Sequence, residues 1–410
     1  MQRPKKMDYF KNCLDVVGKK KRVNVFLSTL GLIGLLFPFT QHLFFPLTPY
    51  IKEEFGSTDT ITQLAISVPS FIMALMTLIY GSISDRCGRL PVLIVGIILY
   101  ALGGLLSALA PSITFLIIAR LIQGAGAACG MVLARAIARD VFGMEHLVRI
   151  IAFLTMMISI GSMIAPVLSS FLVEYTDWRA VMFFSSAFGA IIAVLAWANL
   201  NETNPIRNTK KTHNRFFTDY ILLFKNIRFT AFVLQSGFIS AAFFSLASAN
   251  SLLMNEFLNL PTTDFGLFFL LFPIGYLLGN FTSSQLSGRV SIENMIFAGS
   301  LLLIVTSSVF GAWVWLISVN AWVLFVPGFF ITFAQGLALP SAQTGAIGTI
   351  PSLSGTAAGI GVFMQMFWPG VFVQLYGFLS DGTPTPVAII VLIASCLSLL
   401  SAVIIWITRD

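Results

Sequence analysis

Residues 39–49 read FTQHLFFPLTP, and His42 sits in this apolar run with Gln41 beside it. A histidine exchanges protons near neutral pH, its ordinary pKa being ~6.5. A second ionisable group lies in LIIARLIQGAGAA, residues 116–128, where Arg120 is about eight residues inside an apolar segment. A charge at that depth in a membrane costs ~2.5 kcal/mol or more unless it faces a partner or water. Arg120 is therefore a functional candidate; the alternative is a side chain that snorkels outward. The small residues after it, 124–128, would let neighbouring helices approach closely. A third group is Gly81-x-x-x-Asp85-Arg86-x-Gly88-Arg89, in a tight polar break. Its glycines permit close approach and unusual backbone angles, and its charges can lock two helix ends together. Asp85 could also sit on the positive end of another helix. The run PSLSGTAAG, 351–359, offers such an end, with Ser352 or Ser354 as caps.

The elements that must position these residues follow from composition. Of 410 residues, 57% are hydrophobic and 10% are charged, with a mean hydropathy of +0.89. Soluble domains carry ~25% charged residues. Apolar runs of membrane-spanning length recur along the whole chain, and in lipid such spans are helices. Twelve are predicted: 25–50, 61–83, 91–110, 113–138, 147–172, 178–198, 229–255, 264–287, 292–313, 321–345, 354–379 and 385–407. The one long polar interruption, 199–228, divides the chain into a first half, 1–198, and a second half, 229–410. The apolar run after the basic N-terminus is too long for a signal peptide and should remain as the first span.

With the N-terminus in the cytoplasm, 21 of 24 lysines and arginines fall on cytoplasmic segments. The positive-inside rule therefore puts both termini and the central connection there. The basic segments read as topology signals beside anionic lipid, not as a nucleic-acid surface. The halves also echo each other, since Gly88-Arg89 and Gly288-Arg289 both follow the second span of their half. Duplicated halves are common in secondary transporters. The four cysteines suit neither a disulfide framework nor a zinc site, and no metal or cofactor is implied. The three histidines, with only His42 in a span, make no catalytic constellation, so an embedded enzyme is a poor reading.

In span five, GSMIAPVLSS, residues 161–170, places Gly161, Ala165 and Pro166 in a bent, close-packed helix. With 81–89 and 116–128, this stretch makes the chain resemble the major facilitator superfamily, and within it the bicyclomycin/chloramphenicol-resistance (Bcr/CflA) branch of drug:proton antiporters. LARAIARDVF at 133–142, DWRAVMFF at 177–184 and SDGTPTPVA at 380–388 resemble the branch too. The resemblance implies an all-α fold of twelve transmembrane helices in two six-helix halves, rocking between inward- and outward-open states. Asp85, Arg86 and Arg89, with Gly81 and Gly88, would form the cytoplasmic gate. Arg120 would take part in proton coupling, and Gly161, Ala165 and Pro166 would shape the moving interface. The family expectation for localisation is a bacterial inner membrane, with small molecules and protons as partners. One chain holds both halves and could work as a monomer.

The sequence departs from the branch in three ways. Ala165-Pro166 stands where Gly-Pro is usual, Ser169-Ser170 replaces a glycine pair, and His42 stands where span one usually carries an aspartate. None of the seventeen acids lies in the middle of a predicted span. Proton coupling needs a group that loads and releases protons, and buried carboxylates do this well. His42 is the candidate replacement, about ten residues deep from Lys52. Gln41 or Arg120 would tune it, and Gln123 completes the candidate cavity set. The alternatives are a neutral His42 bonded to a neighbouring helix, or a substrate contact. The leading reading is a proton-coupled exporter of small amphipathic compounds. The other is a transporter of one metabolite or siderophore-like compound, in either direction, without a proton carrier in span one.

Overall fold

A computed structural model describes residues 20–204, 216–316, 318–350 and 353–409, with side chains for all of these except 20–23, 143–149, 152 and 216–219. The basic N-terminal segment, residues 205–215 of the central connection and Ser352 lie outside the described residues.

Twelve helical spans cross the fold: Asn24–Phe55, Asp59–Cys87, Arg89–Ala108, Ile113–Phe142, Phe153–Tyr175, Trp178–Asn199, Ile227–Phe257, Thr262–Leu286, Ile292–Leu316, Ala321–Thr349, Ser354–Leu379 and Thr385–Ile407. They match the predicted set in number and order. An even number of crossings puts both chain ends and the central connection on one face, here the terminal face. The other is the distal face.

Two differences from the predicted spans have local causes. Span one is longer because its helix breaks and re-forms. Helix gives way to a turn after Gln41, passes through a tight 3-10 turn at Phe45–Leu47, and resumes at Thr48–Phe55. Pro46 and Pro49 each remove a backbone donor, which forces the interruption. Between spans four and five no break occurs, and helical backbone runs from Ile113 to Tyr175. The polar link there contains no proline to end it.

In each of spans one and seven, 89% of the apolar stretch is buried inside the protein. Outer spans turn aliphatic side chains outward, among them Val95, Leu102, Val194 and Val305, where hydrocarbon is the solvent. Trp197, Trp315 and Trp322 are exposed at span ends, as interfacial tryptophans are. Helices in lipid gain little from the hydrophobic effect and rely on close backbone approach. A Cβ on Gly126 of span four would lie 2.2 Å from the Tyr100 amide nitrogen of span three. In the second half, one on Gly279 of span eight would lie 2.1 Å from the Phe333 carbonyl of span ten.

Candidate functional site

The break in span one leaves carbonyls without their helical partners. Arg120 Nη2 donates to Thr40 O at 2.7 Å, and Ser169 Oγ of span five donates to Leu43 O at 2.5 Å. Phe45 O has lost its i+4 donor to Pro49. It accepts from Thr48 Oγ1 at 2.7 Å and from Ser251 Oγ of span seven at 2.5 Å. Span two repeats the device. Pro69 has no N–H for Ala65 O, and Arg120 Nε donates to that carbonyl at 3.1 Å.

Arg120 is fully buried and does not snorkel. Its Nη1 donates to Gln123 Oε1 at 2.6 Å, Gln123 Nε2 donates to Ser185 Oγ at 3.0 Å, and Ser185 meets the Tyr100 hydroxyl at 2.6 Å. The guanidinium also lies 4.1 Å from the centroid of the Phe44 ring. Its hydrogen bonds go to two orphaned carbonyls and an amide oxygen, none to a carboxylate. Carbonyl dipoles and the ring face meet the charge instead.

His42 lies on the other side of span one. Thr40 and Phe44 are one helical turn apart and face Arg120; position 42 falls opposite them. The His42 ring is 4% exposed and surrounded by five phenylalanines. Ring centroids lie 6.1 Å away for Phe37, 5.7 Å for Phe45, 6.0 Å for Phe243, 5.8 Å for Phe244 and 5.9 Å for Phe269. The ring meets the Ser162 backbone of span five, but among the described residues neither nitrogen completes a well-formed hydrogen bond. The expected tuning by Gln41 or Arg120 is therefore corrected. Gln41 Nε2 donates to Ser70 Oγ at 2.8 Å and to Met73 Sδ at 3.6 Å, within the first half. His42 instead faces spans seven and eight, on the seam between the halves, with the Ser162 backbone of span five also against its ring.

That seam is closed on one side. Among the described residues, all inter-half side-chain hydrogen bonds lie toward the distal face. The deepest join Ser248 Oγ to Gln63 Oε1 at 2.5 Å and Ser67 Oγ to Gln374 Oε1 at 2.9 Å. Nearer the surface, Thr60 Oγ1 donates to Gly377 O at 2.7 Å, and Tyr50 and Thr262 meet at 3.0 Å. At the mouth, Lys52 Nζ pairs with Asp59 of its own half at 2.5 Å and with Glu256 of the other at 2.6 Å. Ser380 Oγ donates to Asp59 Oδ2 at 2.6 Å. Glu256 belongs to a π-helical turn, Leu253–Phe257, that ends span seven. Lys52, Asp59 and Glu256 were not candidates from sequence, where they counted only as charges of loops and helix ends.

On the terminal face, Gly88 has φ +98°, a conformation that favours glycine. Arg89 is 5% exposed and its guanidinium is fully engaged. It pairs with Asp85 at 2.6 Å and Asp140 at 3.0 Å, and donates to Ser84 Oγ at 2.6 Å. Asp140 was missed, although it stands in LARAIARDVF. Three expectations need correction here. Asp85 pairs within its own turn rather than on the helix of 351–359, whose N-cap is Leu353 without a side-chain bond. Arg86 is exposed and, among the described residues, forms no ion pair. A Cβ on Gly81 would meet nothing within 4 Å, so no close approach requires that glycine. Gly288 repeats the positive φ, at +79°, but Arg289 is exposed and has no acidic partner among the described residues.

Span five packs where the halves meet. A Cβ on Gly161 would lie 2.6 Å from Leu35 and 2.8 Å from Pro38, at the bend of span one. Ala165 and Pro166 are buried, and Ser170 lies against Gly266 of span eight. Among the described residues, no group of three His, Cys, Asp or Glu could hold a metal ion.

Twelve spans in two halves with a seam closed at one end are the architecture of a membrane transporter. The family model described as Major Facilitator Superfamily matches residues 30–373, and the chain belongs to that superfamily; it is not an enzyme. It is similar to multidrug resistance protein D of Escherichia coli (strain K12), 26% identical over 367 residues, 88% of this chain and 90% of that protein. It is also similar to a bicyclomycin resistance protein homolog of Haemophilus influenzae, 23% identical over 349 residues, 83% of this chain and 86% of that one. Both bear out the resemblance to the Bcr/CflA branch. The fold is similar to that of a D-xylose-proton symporter, with a TM-score of 0.77 at 14% identity, over 94% of this chain and 97% of that one.

Proposed function

We propose that the chain is a proton-coupled exporter of small amphipathic compounds, working as one chain in a bacterial inner membrane with its terminal face in the cytoplasm. Residues 1–198 and 229–410 are the moving halves and 199–228 joins them. The single observation that carries alternating access is the one-sided seam, bonded between halves only toward the distal face. In this reading the structure is the inward-facing state. The names of the relatives, which include a chloramphenicol resistance protein of Acinetobacter baumannii at 24% identity over 254 residues, support drugs as the cargo.

His42 is the proton-responsive group of this reading. Two observations support it: its ring lies on the inter-half seam without a well-formed hydrogen bond, and no carboxylate lies near it among the described residues. Arg120 with Gln41 and Gln123 holds span one to its own half, and Asp85 and Arg89 form the terminal gate. The second reading, a transporter of one metabolite or siderophore-like compound without proton exchange at span one, is favoured by the same missing carboxylate.

The test is proton flux in liposomes holding the purified protein, with chloramphenicol-like drugs and siderophores offered across a pH gradient. Compound-driven proton movement that is abolished in His42→Gln supports antiport through His42. Wild-type pH dependence in that variant removes the histidine from the proton path. Compound movement without proton movement selects the second reading.

A further inference from the structure

Span three begins with a helix end that its own sequence does not cap. Its N-cap is Gly88, which has no side chain, so the amides of Arg89 and Leu90 open the helix unpartnered. Glu202, more than 110 residues further along, supplies the missing acceptors. Its Oε1 accepts from Arg89 N at 2.9 Å and its Oε2 from Leu90 N at 3.1 Å. Oε1 also accepts from Asn204 N at 2.8 Å, which folds the chain back on itself. Asn204 Nδ2 then donates to Asp85 O at 3.2 Å, at the C-terminal end of span two. Residues 202–204 thus place a carboxylate on the positive end of one helix and an amide donor on the negative end of the other. A Cβ at position 88 would lie 2.5 Å from Glu202 Oε2, so the glycine also makes room for the acid. Burial alone would push the Glu202 carboxyl up, but the backbone amides of Asn204, Arg89, Leu90 and Thr203 hold it below the ordinary carboxylate range.

We infer that Glu202 is a positioning residue of the terminal gate: it fixes the Arg89 backbone so that the guanidinium reaches Asp85 and Asp140, and it ties the connection between the halves to the 81–89 turn. The connection is then held to the first half as far as Asn204, not only to the end of span six. The second half has no such clasp at Gly288-Arg289, where the arginine is exposed. This rests on the alternating cycle of the proposed function, but on neither its cargo nor its proton coupling.

The test reads conformation directly. Spin labels at Ile83 and Ser284, both exposed near the terminal ends of spans two and eight, report whether that face is open or closed in a chain without its native cysteines. Glu202→Gln keeps the shape of the side chain but sets an NH2 group against backbone donors. It should shift the open-to-closed ratio about tenfold, the scale of one charge-assisted hydrogen bond. Glu202→Asp, too short to span both amides, should shift it in the same direction. In an Arg89→Gln background, Glu202→Gln should have no further effect, because the residue acts through Arg89. A full shift that persists there would assign Glu202 a generic structural role and overturn the inference. An unchanged ratio in Glu202→Gln beside a two-state wild type overturns Glu202 alone. A single wild-type distance at both pH 5.5 and pH 8 overturns the cycle and the inference with it.

Discussion

Replacing Lys52 by methionine should open the distal face by more than the loss of one ion pair. Lys52 Nζ lies 2.5 Å from Asp59 and 2.6 Å from Glu256, with the three side chains 24%, 14% and 33% exposed. Only the Glu256 contact crosses between halves, so only that attraction favours closure; with this much solvent it contributes ~1 kcal/mol. The Asp59 contact persists on opening and cancels. Without the lysine, two carboxylates face each other across the seam, no more than about 5 Å apart. Their repulsion is ~1–3 kcal/mol for effective dielectrics from ~80 down to ~20. Lost attraction and new repulsion together give at least about 2 kcal/mol, a shift of ~30-fold or more toward the distal-open state. Glu256→Gln removes the attraction without creating the repulsion and should shift it only ~5-fold, as should the double variant. Spin labels at Tyr175 and Leu316, 78% and 82% exposed near this face, would read the populations. Raising salt should shrink the Lys52→Met effect, since these charges are partly in water. If Lys52→Met shifts the populations no further than Glu256→Gln, the lysine does not hold apart two acids, and the reasoning fails.

The remaining predictions concern the interior and the terminal gate. Pro69→Ala should give Ala65 O a helical donor and so soften the loss caused by Arg120→Gln; thermal melts of the two single variants and the pair should be non-additive by ~1 kcal/mol. Arg120→Lys should not substitute, because a single ammonium cannot reproduce the planar fork that reaches both carbonyls; lower melting and lost transport should be seen together. Gly126→Ala sets a methyl 2.2 Å from the Tyr100 backbone nitrogen, where nothing flexible can give way, and should destabilise by ~1–3 kcal/mol in a denaturation series. Glu202, with its carboxyl held low, contributes stability that is present above the ordinary carboxylate pKa of ~4.3 and is lost as pH falls through the lowered value. The melting difference between wild type and Glu202→Gln should therefore stay constant from pH 8 to pH 5.5 and narrow only in stronger acid.

What the sequence made legible was whatever lipid dictates locally. Twelve spans, the depth of Arg120 and the need for glycine at position 88 each follow from a short window. The partners did not, because membrane pairing is tertiary and leaves no local trace. Asp140 and Glu202 looked like ordinary charges at helix ends, yet both converge on Arg89 from more than 50 residues away. Lys52 and Glu256 are separated by 204 residues. Proline was the signal most easily underread. Each proline within a span names the carbonyl four residues earlier as an orphan. Asking which donor reaches Ala65 O, orphaned by Pro69, would have directed attention to Arg120 as its partner. The side of span one that His42 occupies was legible too, since positions 40 and 44 share a face that 42 does not.

Span one belongs to both halves, and its bonding lets it change allegiance cheaply. Arg120 and Ser169 hold the carbonyls of Thr40 and Leu43 from within the first half. Ser251 reaches the Phe45 carbonyl from the second half, but Thr48 Oγ1 serves that same carbonyl from its own helix. When the distal face opens, the Ser251 bond breaks and Phe45 O still has a donor. Asp59 likewise loses Ser380 and keeps Lys52. A buried polar group stranded without a partner costs ~1–3 kcal/mol, whereas exchanging one of two partners costs much less. The inter-half bonds at the break and the mouth can therefore specify closure without making opening prohibitive. His42 has no such second partner. Within its own half it meets Phe37, Phe45 and the Ser162 backbone, and from the other half Phe243, Phe244 and Phe269, so separating the halves strips three of its five rings. A group whose environment alternates with the state of the seam is what coupling to protons requires.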